Sequence, residues 1–205
     1  MAGTPLAKFE KITHKVPQWS FNDAFFKKDI EDWETRIMKM LEKELGARPT
    51  DLDYVCELKI DGLHMVLTYA DGVLQTAATR GNGKVGEDVT QNIKTILSVP
   101  LQLKEKINLV AEGEVWLDRN VFQKLNKERI KIDEPVFANP RNAAAGTIRQ
   151  LDAKIVAERK LSLTAYDLSD GEIPERQAEE LKRLESLGFK TDGNWKICGN
   201  VNEII

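Results

Sequence analysis

The chain has 205 residues, 41% of them hydrophobic and 31% charged, with a net charge of −3. That balance supports one domain with a core of its own, or one domain plus a small appendage, and excludes a disordered chain. A chain that grips DNA unaided shows an excess of Lys and Arg, so the bulk charge argues against autonomous DNA binding while leaving room for a local basic groove.

Residues 1–21, with Pro5 and Pro17, read as irregular, and Met1–Lys11 lacks the apolar run of a signal peptide. Asn22 or Asp23 is expected to cap a helix reaching Leu45 and closed by Gly46, because Ile30, Trp33, Ile37, Met40, Leu41 and Leu45 recur at helical spacing. Ala47–Asp53 reads as a linker. Strands are expected at Tyr54–Leu58, Leu63–Ala70 and Val73–Thr79, the last two flanking Asp71-Gly72, a two-residue hairpin turn. Arg80–Gly86 holds three glycines and reads as a loop. A helix is expected over Val89–Leu97, a strand over Leu109–Leu117, and a helix from its cap Asp118 to about Ile130. Pro140 marks a loop or a helix start, Asn142–Gln150 a short helix, Leu161–Leu168 a strand, and Pro174–Leu187 a helix closed by Gly188. Strands and helices interleave without a regular βαβ period, which predicts an α+β fold of largely antiparallel sheets with flanking helices. No stretch has the apolar length of a transmembrane helix. Cys56 and Cys198 form no zinc pattern and suit a reducing cytoplasm.

The densest chemistry is Glu57-Leu58-Lys59-Ile60-Asp61-Gly62. Strand alternation would put Glu57, Lys59 and Asp61 on one face, and Gly62 would permit a tight turn. A Lys between two acids fits a surface ion-pair ladder; it also fits a nucleophile. An amine attacks only when neutral, and at a free pKa near 10.4 roughly a tenth of a percent is neutral near pH 7.4, so a catalytic site has to lower that value. Other candidates also have plain readings. Arg80 opens a glycine-rich loop whose backbone N–H groups would suit a phosphate or ribose, or is a solvent-facing Arg on a turn. Glu112, Glu114 and Trp116 share a strand face by parity. Arg141 and Arg149 lie about 80° apart on one continuous helix, and Ala143-Ala144-Ala145-Gly146 between them allows close approach of another backbone or of DNA, or simply tight helix packing. Tyr166, in an apolar strand, fits a core position. His64 reads as structural or neutral.

Lys-x-Asp-Gly at Lys59 to Gly62 is the motif of the covalent nucleotidyltransferases. Cys56 to Gly62, then Ala78-Thr79-Arg80-Gly81-Asn82-Gly83 with Gly86-Glu87-Asp88-Val89-Thr90, then Gly113-Glu114-Val115, then Phe137 to Asp152, in that order, resemble the adenylation domain of bacterial NAD-dependent DNA ligases. The resemblance runs over roughly residues 14–190. It implies a partial nucleotidyltransferase (ATP-grasp-like ligase) fold, with residues 1–50 a segment and helix leading in and 51–205 the adenylation domain, its C-terminal part missing. Lys59 would attack the adenylyl phosphorus of NAD, release nicotinamide mononucleotide and hold AMP as a phosphoramidate. AMP would pass to the 5′-phosphate of nicked double-stranded DNA, with roles in replication and repair. Ser20, Phe21, Glu57, Arg80, Glu114 and Tyr166 would bind the cofactor, with Tyr166 stacking on adenine and Glu57 accepting from its amino group. Arg141 and Arg149 would face phosphates of NAD or DNA. Asp61 and Gly62 support the nucleophile. Magnesium is implied, with Glu114 close to it but no metal ligand assigned.

Some residues depart from the resemblance. Asn82 stands where the family usually has Asp, Trp19 and Phe21 where it has aliphatic residues, and His64 where it has a small one. The expected activity of this chain alone is weak or absent, with a complementing ligase segment as a possible partner. An ATP-using ligase of the same superfamily is the first rival, and the Phe137–Asp152 segment speaks against it. A non-catalytic or split-ligase remnant that binds adenylate or a partner chain is the second.

Overall fold

The computed structural model describes residues 8–205; the part of the Met1–Lys11 reading, and of the irregular stretch at Pro5, that falls on residues 1–7 lies outside the described residues. The elements, in chain order, are β1 (Lys11–Thr13), α1 (Lys27–Leu45), β2 (Tyr54–Cys56), β3 (Leu63–Ala70), β4 (Val73–Thr79), β5 (Val85–Glu87), α2 (Thr90–Ile93), β6 (Leu109–Trp116), α3 (Arg119–Lys131), α4 (Pro140–Ile148), α5 (Ala153–Glu158), β7 (Ser162–Asp170), α6 (Gln177–Leu187), β8 (Lys196–Cys198) and α7 (Val201–Ile204). Every strand pairing is antiparallel, so the fold is α+β as the pattern predicted. Two compact units share the chain: one takes the described residues up to Gln18 together with Lys59–Asp192, the other Trp19–Leu58 with Gly193–Ile205.

The larger unit is organised by a four-stranded sheet in the order β4-β3-β6-β7. Asp71 and Gly72 both take left-handed φ values, 50° and 74°, the twist that a two-residue hairpin needs. Alternation turns Met65, Leu67 and Tyr69 of β3 and Leu109, Ala111 and Val115 of β6 to one face. There they join Ile93, Ile148, Leu184 and Leu187 from the covering helices in one buried cluster. The opposite parity carries His64, Glu112 and Glu114. A cavity of about 190 Å³ lies along that face under β1, lined by Ile12, Val66, Thr68, Thr76 and Val110 among others. β7 departs from a plain ladder twice. Glu112 pairs with Asp167 and Gly113 with Ala165, leaving Tyr166 as an extra residue; Val110 pairs with Asp170 and Ala111 with Leu168, leaving Ser169 as another. Gly113 is required at the first bulge, since a Cβ there would lie 2.7 Å from the Thr164 carbonyl oxygen.

In the smaller unit, β2 pairs with β8, and α1 is flanked by α7. α1 starts later than expected: its cap is Phe26, not Asn22 or Asp23. The Asp29 carboxylate accepts the Phe25 and Phe26 N–H groups, each at 2.9 Å, so the first-turn acid does the capping. Gly46, at φ 74°, ends the helix as expected. Cys56 and Cys198 are free thiols with Sγ atoms 3.7 Å apart. Burial pushes the Cys56 thiol up, and the neighbouring Cys198 adds to it.

Further boundaries moved, among them α4, which runs Pro140–Ile148 rather than Asn142–Gln150, and β7, which runs Ser162–Asp170 rather than Leu161–Leu168. The strand expected to Leu58 stops at Cys56 because β8 offers it a three-residue partner. The helix expected over Val89–Leu97 is regular only at Thr90–Ile93. α6 begins at Gln177 rather than Pro174. The short β1, β5, α5, β8 and α7 carry no periodic signal of their own. β1, β5 and β8 exist because a partner strand pairs with them, and the Asp152 and Asn200 side chains cap α5 and α7. Among the described residues no helix is long and apolar enough to cross a membrane.

Candidate functional site

Lys59 follows β2 by three residues and is exposed. Because β2 has ended, strand alternation does not govern Glu57, Lys59 and Asp61, and the shared face expected from sequence is not formed by a strand. The segment is anchored instead at Gly62, whose N–H donates to Glu114 Oε1 at 3.1 Å. The glycine is needed for space rather than for a left-handed turn: a Cβ would sit 2.1 Å from the Val115 carbonyl oxygen. Asp61 accepts from Arg141 at 3.2 Å, an exposed pair at the start of α4.

Glu114, buried on β6, is the centre of the arrangement. Burial pushes its carboxyl above the ordinary range, against the opposing pull of His64, the Gly62 N–H, Lys59 and Arg141. Those opposing groups locate Lys59 and Arg141 within electrostatic reach of Glu114. Tyr166 joins them from the bulge of β7. Burial raises its phenol, Glu114, Glu112 and Asp167 raise it further, and Arg80 opposes them. The bulge is fixed from behind by Gln177, whose amide donates to the Tyr166 carbonyl at 3.0 Å, and by the Ala165 N–H, which donates to the Lys190 carbonyl at 2.8 Å. Lys59, Arg80, Glu114, Arg141 and Tyr166 all belong to the larger unit. None of these five lines the cavity under β1.

Other expectations change. The loop after Arg80 spends its amides on itself: Asn82 N–H goes to the Val85 carbonyl, Gly83 N–H to the Arg80 carbonyl, and Lys84 and Val85 N–H to Asn82 Oδ1. Those amides are not directed at a phosphate, and Asn82 earns its place by holding the loop. Arg149 lies one residue beyond the end of the helix that holds Arg141. It is the C-cap of α4 and binds Glu87 at 3.0 Å, so the two arginines serve different carboxylates. Burial pushes the Glu87 carboxyl up, but Arg149 and Lys11 outweigh it and hold the group below the ordinary range. Ala143 and Ala144 are buried in the core, and a Cβ on Gly146 would lie 3.1 Å from the Phe137 ring, so the small-residue run packs protein. Ser20, Phe21 and Glu57 belong to the smaller unit.

Sequence reasoning passed over a polar layer behind Tyr166. His64 Nε2 lies 3.1 Å from Glu112 Oε2, and the His64 and Tyr166 rings meet edge to face, 5.9 Å apart at 80°. Burial pushes Glu112 up, yet His64, Ser169 and Gln18 hold it below the ordinary carboxylate range. Strand parity had put Glu112 on the face of Glu114, but it gives no sign of Ser169, which a bulge delivers. Among the described residues no group of three or more His, Cys, Asp or Glu is arranged to hold a metal.

The family model for the NAD-dependent DNA ligase adenylation domain matches residues 6–205. The chain is similar to the DNA ligase of Oceanobacillus iheyensis, 44% identical over 207 residues that cover all of this chain and 30% of the relative. It is similar to the DNA ligases of Bacillus cereus and Bacillus anthracis, 46% identical over 208 residues with the same coverage. The chain therefore spans about 30% of the length of the curated relatives it matches. With the motif series, the α+β fold and the match over nearly its whole length, the chain belongs to the NAD-dependent DNA ligase adenylation domain family.

Proposed function

We propose that this chain carries the lysine adenylylation step of a NAD-dependent DNA ligase, with 51–205 as the adenylation domain and 1–50 leading into it. The observation that carries the reading is the Gly62–Glu114 hydrogen bond, which ties the Lys59 segment to a buried carboxylate on β6. Lys59 Nζ attacks the adenylyl phosphorus of NAD. The new N–P bond forms as the bond to the nicotinamide mononucleotide phosphate breaks, and the amine loses a proton. Tyr166 stacks on adenine, Glu57 accepts from its amino group, Ser20 and Phe21 line the pocket, and Glu114 and Arg80 hold the ribose side of the nucleotide. Arg141 and Arg149 exchange their carboxylate partners for phosphates of NAD or of nicked DNA, for which guanidinium forks are suited. AMP then passes to the 5′-phosphate, and the 3′-hydroxyl displaces it. A single carboxylate such as Glu114, together with substrate phosphate oxygens and water, is the kind of donor set magnesium takes, and the ion would neutralise phosphate charge when bound. A cytoplasmic setting, in DNA replication and repair, follows from the same reading.

The test is a chimera in which these 205 residues replace the matching stretch of the Bacillus cereus DNA ligase. With adenine-labelled NAD and magnesium, label is expected on Lys59 and is expected to vanish in Lys59→Arg. Label taken up by Lys59→Arg sinks the assignment.

A further inference from the structure

We infer that His64 is a positioning residue that fixes the Tyr166 ring as the adenine platform, an inference that rests on the adenylylation reading above. His64 sits on β3 directly opposite Glu114. Its Nε2 is 3.1 Å from Glu112 Oε2 on one side, and its ring meets the Tyr166 ring edge to face on the other. Its side chain is 17% exposed, so both contacts are made largely out of water. Tyr166 has no ordinary ladder position to hold it, because it is the extra residue of a bulge. A bulged residue keeps its backbone direction through hydrogen bonds, here from Gln177, but its side chain needs a neighbour to select one rotamer. The His64 ring meets it edge to face, a favoured arrangement for two aromatic rings.

A mere filler at this position would be apolar. His64 Nε2, Gln18 Oε1 and Ser169 Oγ are all buried without a well-aligned hydrogen bond among the described residues. The same three side chains pull the Glu112 carboxyl below its ordinary range. Such atoms cost stability, and an alanine at position 64 would remove one of them. Glu112 lies on one side of the His64 ring and Tyr166 on the other, so the ring bridges the two.

The experiment measures the AMP dissociation constant of the chain for wild type, His64→Ala, Tyr166→Ala and the double variant. His64→Ala is expected to weaken AMP binding about three- to tenfold, the scale of one aromatic pair. Tyr166→Ala is expected to weaken it by about tenfold or more. In the Tyr166→Ala background, His64→Ala is expected to change nothing further, since its effect passes through Tyr166. Two more variants guard against simple misfolding: His64→Phe keeps a ring edge and should bind close to wild type, whereas His64→Gln keeps a polar contact to Glu112 without the ring and should resemble His64→Ala. Unchanged binding in His64→Ala, or an equal loss in both backgrounds, overturns the inference. Unchanged binding in Tyr166→Ala, or no AMP binding by wild type, instead overturns the adenine pocket itself.

Discussion

The two compact units treat their apolar residues differently. In the larger, Leu67, Ile93, Ile148 and Leu163 are fully covered, and helices pack on one face of a continuous sheet. In the smaller, α1 buries no residue. Trp33 keeps 38% of its surface in solvent and Met40 69%, and Trp19, Phe21, Phe25 and Phe26 are exposed as well. The stabilising burial is therefore concentrated in the larger unit, and Lys59, Glu114 and Tyr166 are mounted on it. The smaller unit is tied by a few specific contacts instead. The Tyr54 hydroxyl donates to Glu34 at 2.6 Å, and the Tyr54 ring lies 5.6 Å from that of Trp33.

That contrast is open to measurement. The largest expected effect is at Leu67: Leu67→Ala should cost about 2–5 kcal/mol in urea unfolding. Met40→Ala on α1 should stay within about 0.5 kcal/mol. Comparable losses at both positions would mean that the smaller unit has a core of its own. Next is Gly62→Ala. The Cβ it adds collides with the Val115 carbonyl, and overpacking against backbone should cost about 1–3 kcal/mol. The same variant should weaken AMP binding by displacing the N–H that Glu114 accepts. A stable variant with unaltered binding would show that the Lys59 segment does not depend on this anchor. The smallest effect is at Glu87. Its folded-state pKa is lowered, so its ion pairs with Arg149 and Lys11 stabilise above the unfolded value near 4.3 and fade as pH falls through the folded value. The pairs are partly exposed, so the contribution is below about 1 kcal/mol. Glu87→Gln should flatten the acid limb of the stability profile between neutral pH and about pH 3, and an unchanged limb would mean these pairs add nothing.

Much of the scaffold was legible from local pattern. The β3–β4 hairpin follows from alternation around Asp71-Gly72, and both strands end where the pattern does. The Asp118 cap and the Gly46 and Gly188 stops follow from local hydrogen bonding and from glycine's freedom at positive φ. The parity of β6 placed Glu112 and Glu114 on one face, and the motif series around Lys59 pointed to the family. These features depend on residues a few positions apart, which is why one-dimensional spacing carries them.

Only the tertiary structure decided the rest. It ended β2 at Cys56, since strand length depends on the partner β8. It made Gly62 a matter of space against Val115, 53 residues away in the numbering of this chain. It turned the amides of the Arg80 loop inward, and it parted Arg141 from Arg149 by giving each its own carboxylate. It also bulged β7 at Tyr166 and Ser169, placing both beside His64 and Glu112. A bulge is one residue of register between two strands far apart in sequence, and no local periodicity records it. The sequence by itself determined which residue types lie on which face; long-range packing decided which of them meet.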